Sequence, residues 1–147
     1  MTTIAWDGET LAADSMANIN GMVFDEDMVK IIKLKGELFG EKLKAMAMAG
    51  HGSCINYVKD WVCSGDLGAS KIEGINFCVI VITDISSYYA DDETPFLSEF
   101  KGARSVGSGY PFAYSAMKLG LNAVDAVKHA ISLDVYSGGK VRKLKLR

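Results

Sequence analysis

The chain has 147 residues, which is typical of one domain that buries roughly 70% of the surface exposed by its unfolded chain. Its 16 Lys and Arg residues against 18 Asp and Glu residues give a net charge of -2, which argues against a general nucleic-acid binder. We expect no signal peptide, because the start of the sequence lacks a basic stretch followed by a long apolar run, and no apolar run in the sequence is long enough to span a bilayer. Its three cysteines form no CxxC pair and favour a reducing compartment, so we expect a cytoplasmic protein that binds neither nucleic acid nor membrane.

Strand patterns fill the first third of the chain. The runs Thr3–Trp6 and Leu11–Ser15 are separated by the pair Asp7-Gly8, which predicts a hairpin because both residues tolerate the turn conformation. A second hairpin is predicted from residues 29–34 and 43–49. In its second strand Met alternates with Ala, so we expect apolar cover on both faces.

A helix is predicted to begin at Ser53, whose hydroxyl can cap it, and to end near Ser64-Gly65. The next stretch has room for little more than a turn before a buried strand over residues 76–85. The polar segment that follows, SSYYADDETPFLSEFKGA, is typical of a hairpin with turns.

The last third of the chain predicts two helices and a strand. Pro111 suits the first turn of one helix, and Asn122 with Asp125 begins the next. In KVRKLKLR, Leu144 and Leu146 alternate with charged residues, which favours a lysine-protected edge strand over a phosphate-binding tail. Segregated strands and helices predict an α+β fold with antiparallel sheets covered by helices, in one domain over residues 1–147.

Most familiar catalytic sites are poor fits to this sequence. His51 and His129 have no metal-ligand spacing, the glycines around Ser108 lack the lysine of a phosphate loop, and no GxSxG motif occurs. We therefore expect no metal and no cofactor. Thr2 remains as a candidate nucleophile, because a chain-terminal threonine carries its own base, an α-amine with a pKa near 8. That base requires the removal of Met1.

Five short segments add to this candidate: TTIAWDGETLAADS, Lys30 at the head of KIIKL, AMAMAGHGS, SVGSGYPFAYSAM and LDVYSGG. In this order, from Thr2 to about Gly139, they resemble the proteasome β subunits and their simpler bacterial relatives, which are N-terminal-nucleophile hydrolases. The resemblance implies a four-layer αββα sandwich with two antiparallel sheets between helices. Here one helix would be truncated, since the stretch after Ser64 is short.

The resemblance also implies a catalytic set. Thr2 would supply the nucleophile and base, Asp14 would hold Lys30 beside the Thr2 hydroxyl, and Gly50 would donate its N–H to the oxyanion. The terminal amine would be oriented by Ser108, Asp134 and Ser137. The glycines flanking Ser108 would let the main chain approach closely. The main specificity pocket would be lined by residues that leave it roomy and apolar: Ala17, Met28, Ile32, Met48, Gly52 and Asn56.

The leading hypothesis from the sequence is a threonine endopeptidase that cleaves peptides or unfolded proteins after large hydrophobic residues, once Met1 is removed. One alternative is a catalytically silent relative that keeps Met1 and assembles into an oligomer or binds a host complex. Another is hydrolysis of a small-molecule amide. The resemblance implies a homo-oligomer, for which a ring is one form, and the sequence identifies no ATPase unfoldase partner.

Overall fold

A computed structural model describes residues 2–147, and Met1 lies outside the described residues. Within this part of the chain there are three α-helices: α1 (Ile55–Ser64), α2 (Tyr110–Lys118) and α3 (Ala123–Ile131). Short 3-10 helices occur at Gly52–Cys54 and Ala69–Ile72. The strands are β1 (Ile4–Trp6), β2 (Thr10–Ala13), β3 (Ala17–Ile19), β4 (Met22–Asp25), β5 (Ile31–Lys33), β6 (Glu37–Leu38), β7 (Glu41–Gly50), β8 (Phe77–Thr83), β9 (Ser87–Asp91), β10 (Ser98–Phe100), β11 (Arg104–Val106) and β12 (Arg142–Lys145).

The chain forms two compact units, and each combines antiparallel strands with helices. The first unit contains the residues up to Ile31 together with Gly102–Arg147, and the second contains Ile32–Lys101. The first has a four-stranded sheet in the order β11-β1-β2-β12 and the two-stranded hairpin β3-β4. The second is built on a six-stranded sheet in the order β10-β9-β8-β7-β5, with β6 paired to β7 and the unit boundary inside β5. The predicted α+β class with antiparallel sheets is confirmed.

In the first unit, α2 and α3 pack on the four-stranded sheet. Small side chains let the helices approach the strands closely, and the core consists of Ala5, Ala12, Ala113, Ala116, Met117, Ala123, Ala126, Val127 and Ala130. The predicted β1-β2 hairpin is present. Its Asp7 accepts the N–H of Thr10 at 2.8 Å and the N–H of Ala123 at 2.8 Å, so one carboxylate fixes both the turn and the start of α3.

In the second unit, β7 and β8 run side by side through the centre of the sheet. Residues 45–49 of β7 are all buried, which confirms the expectation that both of its faces are covered. Helix α1 contributes Val58, Trp61 and Val62 to the core. The ring of Trp61 meets the ring of Phe77 edge-on at 6.2 Å between centroids, so α1 is anchored over β8.

Other local predictions are also confirmed. Pro111 lies in the first turn of α2, and the Asn122 side chain accepts the N–H of Asp125 at 2.9 Å at the start of α3. β12 is an edge strand of its sheet, as its lysine pattern indicated. Between α1 and β8 the regular structure is a single 3-10 helix, Ala69–Ile72, in keeping with the short stretch seen in the sequence.

Two features differ from the expectations. Ser53 does not cap α1, because it lies inside the preceding 3-10 helix. Its hydroxyl is 2.7 Å from His51 Nδ1. The N-cap residue of α1 is Cys54, whose side chain makes no capping hydrogen bond. The hairpin β3-β4 was not predicted, although the pair Asn20-Gly21 at its turn is a strong hairpin signal. No helix within residues 2–147 is long and apolar enough to cross a membrane.

Candidate active site

Polar side chains converge at one edge of the four-stranded sheet in the first unit. β1 begins at this edge, while its antiparallel neighbours β2 and β11 end there, since Ile4 pairs with both Ala13 and Val106. The pairing therefore brings together the Thr2-Thr3 segment, Asp14 and the loop that follows β11. The turn after α3 adds Asp134 and Ser137, both of which are buried.

A buried ion pair lies on one side of this cluster. Lys30 Nζ is 2.8 Å from Asp14 Oδ1 and also donates to the main-chain oxygen of Met16 at 2.6 Å. Asp14 receives three backbone N–H groups as well, from Thr3 at 3.0 Å, Gly138 at 3.0 Å and Met16 at 3.4 Å. These donors satisfy the carboxylate inside the protein, so Asp14 holds the Lys30 ammonium in one place.

The environment makes Lys30 a better proton donor than an exposed lysine. Burial lowers the pKa of its ammonium below the ordinary value, while the negative charges of Asp14 and Asp134 oppose that shift. A buried lysine that has a lowered pKa and is paired with a carboxylate is typical of sites that transfer protons.

A second carboxylate, Asp134, organises two serine hydroxyls. Ser108 Oγ and Ser137 Oγ each donate to Asp134 Oδ2 at 2.6 Å, and the N–H of Tyr136 donates to Oδ1 at 3.1 Å. Burial by itself raises the pKa of the Asp134 carboxyl, but these donors outweigh it and the net effect is a lowered pKa. Asp134 is therefore a carboxylate at neutral pH, with two oriented hydroxyl groups bound to it.

The main chain of Thr2 and Thr3 lies against the loop after β11. The N–H of Gly109 donates to the Thr2 carbonyl oxygen at 3.4 Å, and Ser108 Oγ lies 3.5 Å from the same oxygen. A Cβ atom on Gly107 would collide with that oxygen, and one on Gly109 would collide with Thr3 Oγ1. The close approach expected from the two glycines is thus present.

Gly50 lies in the second unit, at the end of β7, and its backbone N–H points away from the neighbouring strand β8. His51 donates its N–H to Asn76 O at 3.1 Å, while the oxygen of Phe77 accepts the N–H of Asp92 on its other side. Gly50, opposite Phe77, is therefore at a non-hydrogen-bonded position, with its N–H directed away from that strand. Its φ of 120° and the 2.5 Å from a Cβ to Asn76 O allow only glycine here.

The predicted specificity residues are divided between the units. The first unit contains Ala17 at the start of β3 and the half-buried Met28. The second contains four others, of which Met48 is a core residue and Asn56 is exposed, the remaining two being Ile32 and Gly52. Their grouping into one pocket stays a prediction.

Two contributors to the cluster were missed by sequence reasoning. Thr3 is fully buried, and its hydroxyl is 2.7 Å from Ser137 Oγ. Gly138 supplies an N–H to Asp14. The only local signal for Thr3 is a second threonine at the start of a strand whose next residues are buried. Among residues 2–147 there is no group of three or more His, Cys, Asp or Glu side chains that could hold a metal ion.

No protein-family model and no curated protein matches the sequence. Solved structures do match over almost the whole chain. Eukaryotic HslV from Trypanosoma brucei superposes with a TM-score of 0.70 at 16% identity and covers 98% of both chains. BPH from Thiobacillus denitrificans in complex with epoxomicin gives 0.68 at 18% identity, covering 99% of this chain and 98% of that one. A second BPH structure gives 0.65 at 17% identity, with coverage of 99% and 98%.

These matches confirm, at the level of the fold, the resemblance carried by the five sequence segments: the chain has the fold of the proteasome-like N-terminal-nucleophile hydrolases.

Proposed function

We propose that the protein is a threonine peptidase in which Thr2, freed by removal of Met1, supplies both the nucleophile and the base. One observation carries the proposal: two buried carboxylate clusters meet the Thr2-Thr3 main chain at the same sheet edge. Asp14 with Lys30 forms one cluster, and Asp134 with its two serines forms the other. Such clusters are expensive to bury and are typical of sites where proton transfer is controlled.

In the proposed reaction, Thr2 Oγ attacks the carbonyl carbon of the substrate while its proton passes to the Thr2 α-amine. The Lys30 ammonium favours the deprotonated hydroxyl, and the N–H of Gly50 donates to the oxyanion. Collapse of the tetrahedral intermediate breaks the C–N bond, and the leaving amine takes the proton. An ester on Thr2 remains, and a water molecule activated by the α-amine hydrolyses it. Asp134, through Ser108 and Ser137, would orient that amine.

The substrate proposal is a peptide or unfolded protein cut after a large hydrophobic residue. The six predicted specificity residues include no acid, and burial of an apolar side chain contributes about 25 cal/mol per Å². A four-layer αββα sandwich in one domain over residues 1–147 and a cytoplasmic location belong to the same proposal. The antiparallel sheet with helices in each unit supports the first of these.

The experiment uses intact mass and covalent labelling. Epoxomicin is a suitable reagent, since BPH is solved in complex with it. Loss of one methionine mass, addition of one epoxomicin and cleavage of peptides with Leu or Tyr at the cut position are the expected results. Thr2→Ala should abolish labelling and cleavage while the protein stays folded, and Thr2→Ser should keep part of both. Cleavage that survives in Thr2→Ala would reject the mechanism, and faster cleavage after Arg or Glu would reject the substrate preference.

The second candidate is a catalytically silent protein that keeps Met1 and acts by assembly. It is favoured by exposed apolar side chains on the hairpin β3-β4, namely Ile19, Met22, Val23 and Phe24. The same surface supports a homo-oligomer under either candidate function. Retention of Met1 with no labelling, together with a native mass above that of the monomer, would favour this candidate over the peptidase.

A further inference from the structure

The side chain of Thr3 makes a directed hydrogen bond inside the candidate site. Thr3 is 0% exposed, and its Oγ1 lies 2.7 Å from Ser137 Oγ. A serine hydroxyl has one hydrogen to donate, and Ser137 gives it to Asp134 Oδ2 at 2.6 Å. The Thr3 hydroxyl is therefore the donor to Ser137. A chain of hydrogen bonds runs from Thr3 through Ser137 to the Asp134 carboxylate.

The main chain of Thr3 is bound to the other carboxylate. Its N–H donates to Asp14 Oδ1 at 3.0 Å, and its carbonyl oxygen accepts the N–H of Asp14 at 3.1 Å. Asp14 Oδ1 is also the atom that receives the Lys30 ammonium. Thr3 thus connects the Asp14 and Asp134 clusters by direct hydrogen bonds, and it is covalently joined to Thr2.

We propose that the Thr3 hydroxyl is a positioning group for catalysis, and that it sets the Asp134 cluster relative to the Thr2-Thr3 main chain through its bond to Ser137. This role rests on the proposed function. Thr3 itself touches no reacting atom. It acts because the nucleophile and the base would both belong to the neighbouring residue, and a misplacement of about 1 Å can lower a rate by about a hundredfold.

The packing around Thr3 leaves its side chain little room to adopt another rotamer. Gly109 approaches so closely that a Cβ there would collide with Thr3 Oγ1, and it would lie 3.2 Å from Asp134 Oδ2. A valine at position 3 would keep the volume of threonine but would place a methyl group against Ser137 Oγ. The serine oxygen would then lose its donor, so the Ser137-Asp134 arrangement would no longer be fixed by the β1 segment.

The test is a double-mutant cycle on the full chain, with Met1 removal verified by mass. Its members are Thr3→Val, Ser137→Ala and the double variant, with Thr3→Ser as the matched control that keeps the hydroxyl. For each, kcat and KM are measured on a peptide with Leu at the cut position, together with the rate of labelling by epoxomicin. We expect Thr3→Val to lower kcat about tenfold or more with KM changed less than about twofold, and Thr3→Ser to restore at least about half of kcat.

The cycle separates positioning from simple packing. If Thr3 acts through Ser137, Thr3→Val lowers kcat by less than about twofold further in the Ser137→Ala background. Equal losses in both backgrounds, or wild-type kcat in Thr3→Val, would overturn the role of Thr3. Thr3→Ala completes the same cycle should Thr3→Val fail to fold. If the parent chain, freed of Met1, neither cleaves peptide nor reacts with epoxomicin, the proposed function fails, and the role of Thr3 falls with it.

Discussion

Lys30 Nζ lies 2.8 Å from Asp14 Oδ1, and the two side chains are 3% and 0% exposed. The pair is not symmetrical. Asp14 has three backbone N–H donors besides the ammonium, whereas Lys30 has only the carbonyl oxygen of Met16 as a further hydrogen-bond partner in the part of the chain that the structure describes. Loss of Lys30 would therefore leave a buried carboxylate with three hydrogen-bond donors, whereas loss of Asp14 would leave a buried ammonium with one hydrogen-bond acceptor.

The first prediction follows from this asymmetry. Asp14→Asn leaves the Lys30 ammonium buried beside one carbonyl and turns an amide group toward backbone donors, so we expect the free energy of unfolding to fall by about 3–5 kcal/mol. Lys30→Met leaves a carboxylate that still accepts three N–H groups, and we expect a smaller fall of about 1–3 kcal/mol. Urea unfolding measures both.

The control for this pair is an exposed ion pair. Lys101 Nζ lies 2.6 Å from Glu99 Oε1, but the lysine side chain is 86% exposed. Lys101→Met should change the free energy of unfolding by less than about 1 kcal/mol, because solvent screens the pair. A greater loss in Lys30→Met than in Asp14→Asn would contradict the assignment of the backbone donors to Asp14.

The second prediction concerns acid stability and Asp134. Its native pKa is lowered, so the unfolded state binds the proton more tightly than the native state does. The native state is then favoured above the ordinary pKa of about 4, and this advantage disappears as the pH falls through the lower native pKa. We expect the stability difference between the parent chain and Asp134→Asn to be largest near neutral pH and to shrink below about pH 4.

Urea unfolding at a series of pH values from neutral to acid tests this expectation. Repeating the series at high salt is the control, because salt screens exposed charges much more than buried ones. The shrinking difference should persist there. A difference between the two proteins that stays constant over the whole pH range would show that Asp134 is not stabilised as a carboxylate by Ser108 and Ser137.

Much of the secondary structure could be predicted from local signals in the sequence, because a cap or a turn is formed by residues only a few positions apart in the chain. The Asn122 cap binds Asp125, and the Asp7 turn binds Thr10, each three positions along. The hairpin at Asn20-Gly21 has an equally local signal in its turn residues. The Ser53 cap was wrong because a 3-10 helix precedes α1, and the pattern of apolar residues does not distinguish the two helix types.

The candidate site was less accessible to such reasoning. The residues of the two carboxylate clusters were named through the resemblance and not from spacing alone. Thr3 and Ser137 are 134 positions apart, so no periodicity or cap signal could connect them. The donation from the Gly138 N–H to the Asp14 carboxylate was also missed, because the two residues are 124 positions apart. Contacts between residues so far apart in the sequence can be predicted only when the pairing of the strands is known.

The third prediction uses Gly109. A Cβ there would collide with Thr3 Oγ1. The loop cannot easily move to relieve this collision, because its backbone at Gly107 already lies close to the Thr2 carbonyl oxygen. We expect Gly109→Ala to lower the free energy of unfolding by about 1–3 kcal/mol and to lower kcat more than it raises KM, since it displaces Thr3. Thermal or urea unfolding and peptide hydrolysis provide the measurements.

Gly68→Ala is the matched control for Gly109. Gly68 has a φ of -62°, and the nearest atom to a Cβ there is Asp66 Oδ1 at 3.6 Å, which is ordinary contact. We expect a change within about 0.5 kcal/mol and no change in kcat. Equal effects of the two substitutions would mean that the loop after β11 does not press on Thr3 as the structure has it.

The fourth prediction concerns assembly through the hairpin β3-β4. Met22 is 67% exposed and Phe24 is 60% exposed, and an apolar surface of this kind usually contacts another protein. If copies of the chain associate through it, Phe24→Ser should reduce the native mass toward that of the monomer while leaving the unfolding transition of the subunit in place. Leu119→Ser is the control, because Leu119 is 83% exposed at the end of α2, away from this hairpin in sequence. Light scattering distinguishes the two variants, and an unchanged assembly in Phe24→Ser would exclude this hairpin as the contact.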